Sequence, residues 1–402
     1  MHQAALIERA GALAELQGAL AEHQAAPLDN HRLVTRAADL GIRIGILPTG
    51  PTNSVIDVPG VGVGHATVWR DEPPPPAGRG IARTGVTVLD PGGNLFQRPV
   101  PAGGAVLNGA GECTGLLTAS EWGLAETPVF LTSTMQLGRV YDAACELLVE
   151  EEPGIGHDDV VIPIVAECDD SFLSEPRRMQ VGADDVRTAL REARASVGGP
   201  APAEGAVGAG TGMSALGFKG GIGTCSRVTP AGHTVGVLLM SNFGGRDRLT
   251  VDGVPVGRLL AENGADGGSE DQPVARRPAG SCIVVAVTDA PLDGASCARL
   301  ARRAGLGLAR TGSTASHGSG EIFLALATGL RSERDRPAAR TGPPIAGRAL
   351  DPLFAAAVEA TEEAVLNSMI AARTVTGRDG NTEEALPVGR VVELLKAAGR
   401  VQ

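Results

Sequence analysis

The residues best suited to chemistry in this sequence are hydroxyls standing where polar stretches run into apolar strands. In Pro278-Ala-Gly-Ser-Cys-Ile-Val-Val-Ala-Val-Thr-Asp289 a polar loop ends at Gly280 and an apolar run begins at Ser281. Gly-Ser pairs also occur at Gly268, Gly312 and Gly318, so the dipeptide alone carries no information and its setting decides. A hydroxyl opening a buried strand, behind the least hindered residue, suits attack on the preceding carbonyl. Such an N-to-O acyl shift frees Ser281 as a new N-terminus. Its α-amine, with a reference pKa of ~7.7–8.0, can then act as base for its own hydroxyl. An ordinary loop-to-strand junction is the competing reading.

A second candidate is Gly312-Ser-Thr-Ala-Ser-His-Gly-Ser-Gly-Glu-Ile-Phe-Leu-Ala-Leu326. Strand alternation puts Ser319 and Glu321 on one face, where a carboxylate can orient protons for a nucleophile. A surface turn with a capping serine fits the same residues. His233 and His317 invite a Ser-His-Asp reading, but Gly318-Ser319-Gly320 runs into a strand rather than through a strand-turn-helix elbow. The glycine-rich run Gly205–Thr224 suggests a phosphate loop. Its Gly208, Gly210 and Met213 miss the last glycine of Gly-x-Gly-x-x-Gly, and Lys219 is followed by Gly rather than Ser or Thr. Close backbone packing around a neighbouring site explains that run better.

Elements that could position these groups follow from periodicity. Strands are expected at Val86–Leu89, Pro128–Thr132, Asp159–Ala166, Thr234–Met240, Ser281–Thr288 and Ile322–Ala327, and the stretch Asn53 to His65 alternates as strands and turns do. Helices are expected at Gly138–Glu150, Ala183–Ala195, Cys297–Leu308, Pro352–Arg373 and Val388–Ala398. A leucine face over Ala4–Ala25 predicts an N-terminal helical extension, residues 1–36, ahead of one domain over 37–402. Ala261–Gly280 and Arg331–Gly347 read as exposed loops, and Pro73–Arg79 as a proline-rich one. Interleaved strands and helices favour an α/β or α+β class.

Composition narrows the functions. The 402 residues are enough for a large core, which must be built from Val, Leu, Ile and Ala because only 2% are aromatic. A net charge of −11 gives a nucleic-acid partner little electrostatic support. The basic residues are nearly all arginine, with Lys219 and Lys396 the only lysines. The six cysteines form no Cys-x-x-Cys, so no metal site is expected, and free thiols suit a cytoplasmic protein. Glu8, Arg9, Glu15 and Glu22 break any apolar leader, and no apolar run is long enough for a membrane.

Read together, several blocks resemble the L-aminopeptidase/D-Ala-esterase-amidase family, which includes the β-peptidyl aminopeptidases. They are Gly50-Pro-Thr-Asn-Ser-Val-Ile-Asp-Val-Pro-Gly-Val-Gly-Val-Gly-His65, Asn108-Gly-Ala-Gly-Glu-Cys-Thr-Gly115, Gly208-Ala-Gly-Thr-Gly-Met213, Phe218-Lys-Gly-Gly-Ile-Gly-Thr-Cys-Ser-Arg227, Ser241-Asn-Phe-Gly244, Gly280-Ser281 and Ser319-Gly-Glu-Ile-Phe323. The resemblance runs from about Gly41 to the C-terminus. It implies a four-layer αββα sandwich like the N-terminal-nucleophile hydrolases, one self-cleavage at Gly280-Ser281, and fragments 1–280 and 281–402. It implies Ser281 as nucleophile, Ser319 and Glu321 as the pair that activates it, and Asn242 as an oxyanion donor. Glu112 falls where the family has an acid near the substrate's free amine. The implied activity is release of N-terminal amino acids from small peptides, amides or esters, with no cofactor, by a homotetramer of cleaved protomers.

Two departures stand out. Thr132-Ser-Thr-Met-Gln136 carries Ser133 and Met135 where the resemblance leads one to expect Asn and His, which would make a pocket more apolar. The loop before Ser281 is longer than usual, which bears on the ease of cleavage. An acyltransferase of the ornithine-acetyltransferase type and a nylon-oligomer-type amide hydrolase are the alternative enzymes, although both use Thr where this chain has Ser281. A non-catalytic binder on the same fold would have no need of Ser281, Ser319 and Glu321.

Overall fold

Which segments pair is decided by apolar alternation and by glycine together. In the computed structural model, which describes residues 35–262, 280–334 and 342–401, two sheets stack face to face with helices outside each. The first sheet runs in the order β1 (Gly62–Asp71), β2 (Ile81–Asp90), β5 (Val129–Ser133), β6 (Ile164–Cys168). The second runs β4 (Leu124–Ala125), β3 (Val100–Gly109), β12 (Gly320–Ala327), β11 (Ser281–Thr288), β10 (Thr234–Asn242), β9 (Gly221–Val228). Two short hairpins complete the strands: β7 (Ser214–Ala215) with β8 (Phe218–Lys219), and β13 (Val375–Thr376) with β14 (Thr382–Glu383).

The helices are α1 (Leu116–Trp122), α2 (Leu137–Glu151), α3 (Ala183–Ala195), α4 (Val256–Glu262), α5 (Gly294–Ala301), α6 (Ala304–Thr311), α7 (Asp351–Ile370) and α8 (Val388–Ala397). Buried residues of α2 and α3 pack on the outer face of the first sheet, and those of α5, α6 and α7 on the outer face of the second. Alternation along each inner strand divides its side chains between layers. Ile283, Val285 and Val287 of β11 face the first sheet, whereas Cys282, Val284 and Ala286 face the helices. This is the αββα sandwich. Truncating one of the buried inter-sheet residues, such as Leu238 or Ile283, to Ala should cost ~2–5 kcal/mol.

Two strands have no apolar signature. β3 and β9 are rich in glycine, and the reason is contact with helix backbone. A Cβ on Gly103 would stand 2.5 Å from the Gly294 carbonyl oxygen of α5, and one on Gly223 only 1.9 Å from that of Ala364 in α7. Other bounds shift as well. β6 starts at Ile164, not Asp159, because Pro163 has no N–H to give a ladder and residues 159–162 lie at the surface. The helix expected over Cys297–Leu308 is two, α5 and α6, separated by a turn at Arg302–Arg303.

Residues from Thr35 onward form one compact unit. The helix expected over Ala4–Ala25 lies outside the described residues, as do 263–279 and 335–341 of the two expected loops. Among the described residues, no helix is long and apolar enough to cross a membrane.

Candidate active site

Five strand ends meet at one edge of the sandwich: the C-terminal ends of β3, β6 and β10 and the N-terminal ends of β11 and β12. Ser281 opens β11 and continues the row Ile283, Val285, Val287, so it faces the space between the sheets. Asn242, last residue of β10, is its register partner in the antiparallel ladder and continues the row Leu238, Met240. Both are buried.

The Ser281 hydroxyl accepts a hydrogen bond from the Gly320 N–H at 3.1 Å. That amide belongs to the parallel neighbour β12, whose Glu321 pairs with Cys282. Ser319 donates its hydroxyl to Glu321 Oε1, so the two residues singled out on alternation do meet. Glu321 is fully buried, its Oε2 has no hydrogen-bond partner among the described residues, and burial pushes its carboxyl above the ordinary range. A carboxyl so placed exchanges protons more readily near neutral pH than an exposed one.

The Asn242 side chain is held at both ends. Its Oδ1 accepts from the Ser214 N–H at 2.8 Å, and its Nδ2 donates to the Asp169 carbonyl at 2.8 Å. A small cavity of about 60 Å³ opens beside it, lined by Asp169, Ser214, Asn242, Phe243, Gly280 and Glu383 among others. Gly280 and the Asn242 amide therefore border one space.

Glu112 is exposed, and its Oε1 accepts from the N–H of Cys113, bracing its own turn. The buried acid of this corner is a residue the sequence did not flag, Glu167 near the end of β6. Glu167 Oε1 accepts from the Glu112 N–H at 2.8 Å, and its Oε2 from the Thr134 hydroxyl. Burial raises its pKa. A Cβ on Gly111 would lie 3.2 Å from Glu167 Oε1 and 3.6 Å from Gly320 Cα, which brings this carboxylate to the Ser281 side of the sheet. Asn108 was also missed. It pairs with Glu321 and gives its amide to the carbonyls of Ser316, His317 and Ser319, tying down the loop before β12.

Other expectations resolve around this core. Ser133 is buried against Thr84, so of the two replaced residues only Met135 offers an exposed apolar surface. His317 is exposed, and His233 precedes β10 at the end opposite Asn242, so neither histidine reaches Ser281. In the glycine-rich run, the N–H groups of Gly208 and Ala209 are given to Thr67 and Thr87, and that of Gly210 to Val207, leaving none of the three to cradle phosphate. The Lys219 ammonium is fully buried in this run and donates to three backbone carbonyls. A larger cavity, about 770 Å³, lies at the far end of the four-stranded sheet near Asp90 and Phe96. Its charged side chains are taken up by local partners: Arg194 pairs with Asp90 and Glu151, Glu126 with Arg334, Arg331 donates to the Pro91 and Gly92 carbonyls, and Glu152 accepts from Asn94.

Comparison with known proteins identifies the family. Residues 53–383 match the profile of Peptidase family S58. The chain is 39% identical over 373 residues to the β-peptidyl aminopeptidase BapA of Sphingosinicella xenopeptidilytica, covering 90% of this chain and 91% of that protein. Among solved structures, the PH0078 protein from Pyrococcus horikoshii OT3 superposes with a TM-score of 0.82 at 39% identity, over 91% of this chain and 100% of that one. The L-aminopeptidase D-Ala-esterase/amidase of Ochrobactrum anthropi, described as a prototype serine aminopeptidase and a variant of the Ntn hydrolase fold, gives 0.81 at 35% identity, over 91% and 99%. The chain is a peptide hydrolase and belongs to Peptidase family S58.

Proposed function

We propose that the protein is a self-processing serine aminopeptidase/amidase whose nucleophile, Ser281, is released as an N-terminus by scission of Gly280-Ser281. The observation that carries this reading is the seat of Ser281. It opens a buried strand, its hydroxyl is held by Gly320 N–H, the Ser319–Glu321 pair stands on the adjacent strand, and the Asn242 amide is its register partner.

In processing, Ser281 Oγ adds to the Gly280 carbonyl carbon while its proton moves toward Ser319 and Glu321. The C–N bond breaks, the Ser281 nitrogen takes up a proton, and an ester joins Gly280 to Ser281. Water hydrolyses that ester to a Gly280 carboxylate and a free Ser281. In turnover the same oxygen attacks the substrate carbonyl, the α-amine takes the proton and passes it to the leaving amine, and water clears the acyl group. One Asn242 N–H is given to Asp169; the other is available to the oxyanion that develops at either carbonyl.

Substrates in this reading are small peptides, aminoacyl amides or esters with a free amine, met by the buried Glu167 with Glu112 at the rim. The name of the Sphingosinicella relative supports including β-amino acids among them. No cofactor is required. The family resemblance supports a cytoplasmic homotetramer of cleaved protomers, each a peptidase domain over 37–402 behind the extension 1–36. A panel of α- and β-aminoacyl p-nitroanilides with their N-acetylated counterparts tests the activity. Free-amine substrates should turn over and acetylated ones should not; equal turnover would make the protein a general amidase.

A further inference from the structure

The chain uses arginine almost everywhere: only two of its 35 basic residues are lysines. One of the two, Lys219, is completely buried in β8, behind the cavity that Gly280 and Asn242 border. Its Nζ donates to the carbonyls of Gly210 at 3.1 Å, Met213 at 2.6 Å and Gly220 at 2.8 Å. Three convergent acceptors fit the tetrahedral ammonium and not a planar guanidinium, whose donors fan out in one plane. Burial nevertheless pulls its pKa down to about 7, against the opposing pull of Glu383 and Asp170. A buried charge this costly is held for what it organises.

What it organises leads to the active site. The carbonyls of Gly210 and Met213 belong to the turn that runs into Ser214, and Ser214 is the register partner of Lys219 in the β7–β8 hairpin. The Ser214 N–H is the donor that fixes Asn242 Oδ1. With Oδ1 fixed, the amide plane can rotate only slightly, and Nδ2 stays directed at Asp169 O and at the space beside Gly280. Without Lys219 the Gly210 and Met213 carbonyls keep only the N–H groups of Met213 and Gly220, so the turn loses the ammonium that ties it together and the Ser214 N–H is free to shift.

We infer that Lys219 is a positioning residue for the oxyanion donor: through the Gly210–Ser214 turn it sets the orientation of the Asn242 amide. The inference rests on the proposed role of Asn242. Lys219 touches no substrate, so its removal should act on kcat and leave KM unchanged.

A double-mutant cycle tests this, with rates taken per cleaved protomer, or as the rate of fragment appearance where cleavage itself is slowed. Asn242→Ala alone tests the oxyanion reading: an undiminished kcat sinks that reading and the inference with it. If Asn242→Ala lowers kcat, Lys219→Met should also lower it, by an amount approaching the ~10²-fold typical of a lost oxyanion donor, at constant KM. The double variant should be no slower than Asn242→Ala, since both changes remove the same interaction. Effects that multiply, or a raised KM at unchanged kcat, overturn the role of Lys219 while leaving Asn242 in place. Should Lys219→Met fail to fold, Ser214→Pro removes the N–H given to Asn242 Oδ1, and the Asn242→Ala background separates that loss from the effect of the proline ring on the turn. It should show the same kcat loss, absent in the Asn242→Ala background; wild-type kcat in Ser214→Pro refutes the inference.

Discussion

Gly280 lies so close over Asn242 that a Cβ on it would stand 1.9 Å from the Asn242 carbonyl oxygen and 2.8 Å from Phe243 Cα. The glycine before the proposed nucleophile is therefore demanded by packing as well as by access to the carbonyl. Gly280→Ala must displace the chain at the Gly280–Ser281 bond. The expected result is slower appearance of the two fragments on a denaturing gel, followed over time after synthesis. Cleavage at the wild-type rate would mean that the scissile bond does not sit in this close contact.

Asn242→Ala should lower kcat by ~10²-fold, as loss of one preorganised oxyanion donor does. The structure adds a cost, because the change strips the Ser214 N–H and the Asp169 carbonyl of their partner, worth about 1–3 kcal/mol where such groups stay buried. Melting curves run beside the kinetics should therefore show a lower Tm for this variant.

Glu321→Gln separates catalysis from stability. If the carboxylate takes up protons for Ser281, kcat should fall by ~10²–10⁴. Burial raises the Glu321 pKa, so the folded protein holds this proton over a pH range in which the unfolded chain has released it. Stability from this group is thus present at low pH and lost as pH rises through the raised pKa. The neutral Gln escapes that loss and should melt no lower than wild type at neutral pH. A variant with normal kcat would return Glu321 to a structural role.

Recognition of the substrate's amine should follow Glu167 rather than Glu112. Glu167→Gln removes a buried counter-charge and should raise KM for free-amine substrates, whereas Glu112→Gln, at an exposed site, should change it less. Because burial raises the Glu167 pKa, binding of the ammonium should weaken on acidification at a higher pH than an ordinary glutamate would give. Initial rates against pH for both variants decide between the two acids; a larger KM effect at Glu112 would reverse the assignment.

The strands that carry Ser281 and Glu321 were legible because each is an apolar run with an abrupt polar start, and β11 begins at Ser281 in sequence and structure alike. β3 and β9 were not, since their glycines report on helices that press against them, a contact no local pattern contains. Glu167 was hidden for a related reason. It sits inside an apolar strand, Ile164–Cys168, and becomes a candidate for the site only because that strand ends beside β3 and β12 of the other sheet. Glu112 looked better placed, in a turn between glycines, but such a turn can be braced by its own carboxylate, and here it is. Lys219 was visible as a rarity of composition, though its three carbonyl acceptors were not.

The most direct test of the account is the intact mass and N-terminal sequence of the purified protein, wild type beside Ser281→Ala. Two fragments are expected from the wild type, residues 1–280 and 281–402, the second beginning Ser-Cys-Ile-Val-Val. Ser281→Ala should give a single uncut and inactive chain. A wild-type protein that turns over aminoacyl substrates as one unbroken chain, or an active Ser281→Ala, would contradict the assignment of Ser281 as a nucleophile freed by self-cleavage.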